Sequence, residues 1–284
     1  MAREDAAQPP LTIDAGGVAL AGEQAGAGEA VVLLHGLTAT RRYVVMGSRA
    51  LQRSGRRVVT YDARGHGASS PAPSAQDYGY EQLADDLVAV LDALGLARAV
   101  LAGASMGAHT ALRLALTRPE RVAALALITP SFQADAPRDE RSLARWDALA
   151  HGLREGGVEG FVRAYDLDAV PQAWRDTVEK VLRQRLGAHE HPHAVADALE
   201  AVPRSRPFER MQELRAIAVP TVVVASRDEA DPGHPLAVAQ RYAETIPGAM
   251  LVVEDAGPPA RSPIAWQGGQ LSRVIAELAD RASA

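Results

Sequence analysis

The chain has 284 residues, of which 47% are hydrophobic, and this suits a single large α/β domain that carries an insertion. Its net charge of −5 and pI near 5.9 exclude a general attraction to nucleic acid or to anionic membranes. The absence of cysteine excludes disulfides, a cysteine nucleophile and cysteine-bound metal. The first ten residues lack a signal-peptide core, and no apolar run approaches the ~18 residues of a membrane span. We therefore expect a cytoplasmic protein without a membrane segment.

The hydrophobic pattern alternates between strands and helices along the chain. Residues 11–26 predict two short strands around Gly16-Gly17. Apolar runs predict further strands at 30–36, 56–67, 99–105, 122–130, 220–228 and 249–255. Helical periodicity and stop signals predict helices at about 42–53, 80–96, 106–119, 235–246 and 265–281. This alternation is typical of an α/β fold with a doubly wound, mostly parallel sheet and right-handed crossovers.

The alternation is interrupted between the sixth and seventh strands. Residues 131–215 hold no clear strand, and their apolar runs look helical. We therefore predict a core formed by residues 11–130 and 216–284, with a helical cap at 131–215. Half of the twelve aromatic residues fall in this cap, namely Phe132, Trp146, Phe161, Tyr165, Trp174 and Phe208. They would line a pocket for a small or medium, largely apolar substrate, or form the cap's own core.

The segment LAGASMGAH (101–109) holds a serine between two glycines, where a predicted strand meets a helix. A strand that turns at once into a helix forces the residue at its apex into a rare backbone conformation. Side chains two positions before and after the apex would collide, which explains Gly103 and Gly107. The pattern therefore predicts that Ser105 is a nucleophile, and that the N–H of Met106 can hold a developing oxyanion at the helix start.

Over most of its length the chain resembles the α/β-hydrolase family. The resemblance rests on HGLT (35–38), DARGHGAS (62–69), GASMGA (103–108), the helical insertion and DPGHP (231–235). It implies that the backbone N–H of Leu37 is the second oxyanion donor. It also implies that Gly36 lets the backbone come close, and that His35 and His66 are structural residues of their loops.

In this family a carboxylate follows the seventh strand and a histidine follows the eighth, and together they activate the serine. Asp231 is the preferred candidate for the acid, and Asp228 is the alternative. The histidine departs from the pattern, because none occurs after His234. A curled acid loop would bring His234 to Ser105 as the base, although a solvent-facing loop histidine would fit the sequence as well.

Other histidines are weaker candidates for the base. Those of the segment GAHEHPHA (187–194) lie in the cap, where a solvated turn is the expectation and a position over Ser105 is the alternative. Their spacing also invites a metal site, but Pro192 intervenes and no further ligand is evident. His109 lies four residues after the serine and should pack along its helix as a structural residue. We expect neither a metal nor a cofactor.

The sequence leaves two classes of function open. The first is a serine hydrolase acting on an ester, lactone or thioester through an acyl-enzyme on Ser105. The second is a non-hydrolytic or ligand-binding relative that lacks a complete triad, and carbon–carbon bond cleavage would be a variant of the chemistry. The expected partner is a small-molecule substrate, not nucleic acid or membrane, and a homodimer stays open.

Overall fold

The computed structural model describes residues 10–137, 139–227, 233–253, 266 and 268–283, in which eight strands form one sheet. The strands are β1 (Leu11–Asp14), β2 (Ala19–Ala25), β3 (Ala30–Leu34), β4 (Arg57–Tyr61), β5 (Ala99–Ala104), β6 (Val122–Ile128), β7 (Thr221–Ala225) and β8 (Met250–Val253). Their order is β1-β2-β4-β3-β5-β6-β7-β8. The β1–β2 and β2–β4 pairs are antiparallel, and the remaining pairs are parallel. The predicted mostly parallel sheet is confirmed.

Helices cover both faces of this sheet. They are α1 (Ala50–Arg53), α2 (Tyr80–Ala93), α3 (Met106–Thr117), α4 (Glu140–Ala164), α5 (Arg175–Leu186), α6 (Pro192–Ala201), α7 (Leu236–Thr245) and α8 (Gly268–Ser283). Short 3-10 helices lie at Arg41–Tyr43, Pro119–Arg121, Leu167–Ala169, Gln172–Trp174, Val202–Arg204 and Met211–Ala216. One apolar layer packs α2, α3 and α7 on the sheet, and the other packs α1 and α8. Because β3, β6 and β7 are buried at every residue, their sequences are continuous apolar runs.

The helix predicted at 42–53 is wrong in its first half. A 3-10 turn at Arg41–Tyr43 and the single helical turn α1 replace it. Met46 and Gly47, with φ of 47° and 74°, adopt left-handed backbone conformations that end helical geometry between the two turns. Among the helices of the described residues, none combines the length and the apolar character that crossing a bilayer requires.

The helical insertion between β6 and β7 has its own small core. Helix α4 is kinked at Gly157, whose φ of 57° is not helical, and it packs against α5 and α6. Phe161, Leu182 and Leu199 are buried between these helices. The division of the chain into domains at 130/131 and 215/216 stays a prediction. Phe208 and Met211, near the end of the insertion, pack into the main core beside α3 and α7. The segment after residue 206 therefore adds to the main body of the protein.

Candidate active site

Ser105 occupies a strained turn between β5 and α3. Its φ of 49° and ψ of −109° lie in a region that costs a residue about 1–3 kcal/mol. The Ser105 N–H donates to the carbonyl of Ile128 on β6 at 2.9 Å, and the Ser105 carbonyl accepts from His109 N at 3.1 Å. The backbone is therefore fixed on both sides, and the side chain faces the cavity described below.

The two glycines around Ser105 are required by contacts with backbone atoms. A Cβ on Gly103 would lie 2.2 Å from the carbonyl carbon and oxygen of Gly107. A Cβ on Gly107 would lie 2.2 Å from the carbonyl oxygen of Leu34 on β3. Backbone cannot yield at such distances, so the spacing follows from geometry. Gly36 was expected to allow a similarly close approach of the backbone, but the structure does not require a glycine there. A Cβ on Gly36 would lie at ordinary contact distances, 3.4 Å from the Ala104 carbonyl oxygen and 3.5 Å from Ser105 Cβ.

His234 contacts the Ser105 hydroxyl. The distance between His234 Nε2 and Ser105 Oγ is 2.9 Å, a normal hydrogen bond. His234 lies two residues before α7 and so approaches from the chain that follows β7. The structure thus brings together the predicted nucleophile and its candidate base. The predicted acid Asp231 and its alternative Asp228 lie outside the described residues.

Leu37 and Met106, whose backbone amides are the predicted oxyanion donors, line the same cavity as Ser105. Within the described part of the chain, neither amide donates to a backbone carbonyl. Met106 is the first residue of α3, where helix geometry leaves N–H groups without a partner and the dipole favours negative charge. This arrangement suits an oxygen that gains negative charge during a reaction.

Two side chains of the helical insertion hold the loop that carries Leu37. Arg185, at the end of α5, donates to the Leu37 carbonyl at 3.0 Å and to the Thr38 hydroxyl. His189 Nε2 is 2.9 Å from the Thr38 carbonyl, while His189 Nδ1 accepts from Gly67 N at 2.8 Å. Nε2 is thus the protonated nitrogen, and it donates to Thr38. Thr38 itself has a φ of 65°, so the loop needs such support.

The solvated position predicted for His189 is therefore wrong. Its side chain is 7% exposed because the turn between α5 and α6 packs onto two core loops. Burial lowers the pKa of His189, which keeps the ring neutral. His191 is half-buried at the start of α6, and His193 is exposed. Among the described residues, no group of three or more metal-binding side chains occurs.

His35 and His66 are buried below the Leu37 loop. His35 Nδ1 donates to the Gly36 carbonyl at 2.8 Å, and its Nε2 accepts from Ala63 N at 2.9 Å. Burial lowers the pKa of His35 to about 4. His66 Nδ1 lies 3.0 Å from the Arg64 carbonyl, and burial lowers the pKa of His66 as well. In both cases the ring is bonded to loop backbone, not to the serine.

His109 joins the start of the insertion to α2. Its Nε2 accepts from the N–H groups of Ser131 and Phe132, both at 3.2 Å, and its Nδ1 lies 3.1 Å from Tyr80 Oη. Burial lowers the pKa of His109 to about 3. The sequence indicated only that this ring packs along its helix. It also borders the cavity, a position that the helix period of α3 alone did not reveal.

The cavity above Ser105 has a volume of about 360 Å³ and lies between the sheet edge and the insertion. Its apolar lining includes Leu37, Met106, Phe132, Leu143, Trp146 and Val202. Its polar lining includes Tyr80, Ser131, Gln133, Ser142, Arg204 and Arg206. Two of the aromatic residues noted in the sequence therefore face the cavity, whereas Phe161 packs inside the insertion.

The family model for the alpha/beta hydrolase fold matches residues 29–260. The chain belongs to this family. The match includes the Leu37 loop, the Ser105 turn and His234, so the geometry above lies within the shared fold.

Several relatives of this alpha/beta hydrolase have names that describe hydrolases. The proposed carbamate hydrolase RutD of Variovorax paradoxus is 34% identical over 72% of this chain and 75% of its own. A thermophilic esterase from Thermogutta terrifontis has a TM-score of 0.75 and is 26% identical, covering 98% of this chain and 100% of its own. Est816, described as an N-acyl homoserine lactone degrading enzyme, has a TM-score of 0.70 at 26% identity, with 95% and 99% covered.

Proposed function

We propose that this alpha/beta hydrolase is a serine hydrolase that cleaves small or medium, largely apolar esters, lactones or thioesters through an acyl-enzyme on Ser105. The observation that carries the proposal is the 2.9 Å contact between His234 Nε2 and Ser105 Oγ at the apex of a strained turn. A serine hydroxyl is a weak nucleophile near neutral pH, and a base within hydrogen-bonding distance makes it reactive.

In the proposed reaction, Ser105 Oγ attacks the substrate carbonyl carbon while His234 Nε2 takes the hydroxyl proton. The carbonyl oxygen becomes an oxyanion, which accepts hydrogen bonds from the N–H groups of Leu37 and Met106. The tetrahedral intermediate then collapses, and His234 gives its proton to the departing alcohol or thiol. Water then attacks the acyl carbon while His234 takes its proton. The second tetrahedral intermediate collapses, His234 gives that proton to Ser105 Oγ, and the acid is released.

The base must present an unprotonated Nε2 to the serine, so its proton must sit on Nδ1. An acidic side chain beside Nδ1 would hold this tautomer. We propose Asp231 for that position, with Asp228 as the alternative; both precede His234 by a few residues in the chain. General base catalysis contributes about 10²–10⁴-fold to such reactions, and each oxyanion donor about 10²–10³-fold.

The cavity and the relatives support the proposed substrate class. Phe132, Leu143 and Trp146 offer an apolar surface for an acyl or alkyl group next to Ser105. Esters, lactones and carbamates all react at a carbonyl carbon that bears a leaving group, and the names of the relatives cover all three. The cytoplasmic location and the homodimer stay predictions.

A non-hydrolytic ligand-binding role would require that the chain lack a base. That alternative was motivated by the missing histidine after the eighth strand. His234 supplies an imidazole at Ser105 from a different loop, so the alternative loses its main support.

The proposal is tested with p-nitrophenyl esters of two to ten acyl carbons, an acyl homoserine lactone and an alkyl carbamate. We expect turnover that favours short or medium acyl groups and that falls at least 10³-fold in Ser105→Ala. Ser54→Ala, a substitution of an exposed serine at the end of α1, is the matched control and should retain full activity. Absence of turnover with every substrate, or equal turnover by Ser105→Ala, would refute the proposal.

A further inference from the structure

Tyr80 lines the cavity, and the mechanism above does not use its hydroxyl. Tyr80 is the first residue of α2, is 5% exposed and borders the same cavity as Ser105. Its Oη lies 3.1 Å from His109 Nδ1. His109, which contacts this hydroxyl, also lines the cavity, as does Ser131 on the other side of the His109 ring. The hydroxyl is therefore at the boundary between protein and substrate space.

The direction of the hydrogen bond between Tyr80 and His109 follows from the other ring nitrogen. His109 Nε2 accepts from two backbone N–H groups, those of Ser131 and Phe132, so it carries no hydrogen. A neutral imidazole has one ring hydrogen, which must then be on Nδ1. Because burial lowers the pKa of His109 to about 3, the ring is neutral at ordinary pH. His109 Nδ1 therefore donates, and Tyr80 Oη accepts.

In this arrangement the hydroxyl hydrogen of Tyr80 takes no part in the hydrogen bond to His109. It cannot return to His109, since the nitrogen facing it already bears a hydrogen. Among the residues that the structure describes, Tyr80 Oη has no other hydrogen-bond partner. Burial raises the pKa of Tyr80, so the phenol keeps its hydrogen. A buried O–H donor without an acceptor is costly, and the cavity is the open space beside it.

We propose that the Tyr80 hydroxyl donates a hydrogen bond to an acceptor oxygen of the bound substrate, apart from the carbonyl that Ser105 attacks. The inference rests on the proposed function and narrows it. The preferred substrate is an ester, lactone or thioester that carries a further acceptor oxygen outside the reacting group, such as an ether, hydroxyl or keto oxygen. Plain alkyl chains leave the donor unsatisfied and bind less well.

The test uses pairs of esters in which an ether oxygen replaces one methylene at nearly constant shape. On the acyl side, p-nitrophenyl butyrate is compared with p-nitrophenyl methoxyacetate, and p-nitrophenyl pentanoate is compared with p-nitrophenyl 3-methoxypropanoate. On the alcohol side, butyl acetate is compared with 2-methoxyethyl acetate. The quantity compared is the ratio of kcat/KM for ether over methylene, divided by the same ratio for hydroxide-catalysed hydrolysis. This division removes the intrinsic reactivity of each ester.

The wild type should favour the ether ester at one of these positions, and Tyr80→Phe should lower that ratio by about tenfold or more. Tyr78→Phe is the matched control, because Tyr78 is buried nearby, its hydroxyl accepts from Ala72 N, and it does not line the cavity. It should keep the wild-type ratio. The ratio is taken within each variant, so a partial loss of folded protein cancels. Equal ratios in wild type and Tyr80→Phe at every position would overturn the inference.

A binding experiment separates this inference from the proposed function. In the Ser105→Ala background, calorimetry with the intact esters measures affinity without turnover. A preference for the ether ester that disappears in Ser105→Ala/Tyr80→Phe supports the role of Tyr80 even if the wild type hydrolyses no ester. Conversely, Ser105-dependent hydrolysis with no Tyr80-dependent preference in rate or affinity refutes this inference and leaves the proposed function standing.

Discussion

Two kinds of histidine surround Ser105, and they differ in what their ring nitrogens contact. His234 contacts the serine hydroxyl through Nε2. Four others are buried and bond to backbone groups of the loops around the site, namely His35, His66, His109 and His189. Burial disfavours the imidazolium form in all four, so they serve as neutral, fixed connectors. The candidate base is distinguished by its contact with the nucleophile, and it is half-buried where the other four are buried.

The largest effect on activity should come from His234. His234→Gln keeps a polar side chain but cannot accept and return the proton, so kcat should fall about 10³-fold. The control is His193→Gln, a substitution of an exposed histidine on α6, with unchanged kcat. Steady-state ester hydrolysis measures both. A drop of less than tenfold in His234→Gln would assign the proton transfer to another group.

The next effect should come from the side chains of the helical insertion that hold the Leu37 loop. Arg185→Met removes the hydrogen bonds to Leu37 and Thr38, so the oxyanion donor loses its fixed position and kcat should fall about tenfold. Affinity for a trifluoromethyl ketone, which forms an oxyanion on the enzyme, should fall in parallel. Affinity for a noncovalent product acid should not.

The matched control for that loop is Arg183→Met. Arg183 lies on the same helix and pairs with the exposed Glu159 and the half-buried Glu179. Its substitution should change neither kcat nor inhibitor affinity. If Arg185→Met weakened the binding of both ligands equally, Arg185 would support the fold of the helical insertion without positioning the oxyanion donor.

His109 should matter more for stability than for chemistry. His109→Leu leaves the N–H groups of Ser131 and Phe132 without their acceptor, which should cost about 1–3 kcal/mol of unfolding free energy. We expect kcat to fall only a few-fold. Denaturant unfolding and hydrolysis, measured on the same preparation, check this. A loss of activity as large as that of His234→Gln would remove the distinction between the two histidines.

The smallest effect concerns pH. The pKa of His35 is lowered to about 4 and that of His109 to about 3, below the ordinary value of 6.5. The unfolded chain therefore binds more protons than the native one below pH 6.5, and native stability is lost as the pH falls from there. For each such histidine, the free energy of unfolding falls by about 1.4 kcal/mol for every pH unit below 6.5, until the pH reaches the lowered pKa.

The stability gap between wild type and His109→Leu should consequently narrow from pH 7 to pH 5, since only the wild type loses stability through His109. His193→Gln should follow the wild type at every pH. Urea titrations at several pH values test this. A stability difference that stays constant between pH 7 and pH 5 would mean that native His109 takes up a proton over the same pH range as in the unfolded chain.

Much of the site follows from local sequence because its constraints are local. Gly103 is required by a steric clash with Gly107 inside the same turn, and Met106 follows from the helix that begins there. Gly107 is required by the Leu34 carbonyl on the neighbouring strand β3, but the glycine spacing around the serine is still visible in the sequence. Strands β3, β6 and β7 can be predicted as continuous apolar runs because they are buried on both faces. The break in the helix predicted at 42–53 could not be predicted, because a left-handed turn at Met46-Gly47 carries no clear periodic signal.

The remaining contacts depend on tertiary packing. Arg185 and His189 reach loops about 150 and 120 residues earlier in the chain, which no local pattern encodes. The bond between Tyr80 and His109 is of the same kind. His234 was one of several histidines that the sequence allowed, and only the structure shows which of them contacts Ser105.

The most direct test of the central claim is to trap the acyl-enzyme. Wild-type protein is mixed with a p-nitrophenyl ester, quenched in acid within milliseconds and analysed by mass spectrometry after digestion. The account predicts one acyl group on the peptide that contains Ser105, formed about 10³-fold more slowly in His234→Gln and absent in Ser105→Ala. An acyl group on another residue, or equal acylation of Ser105 in His234→Gln, would contradict it.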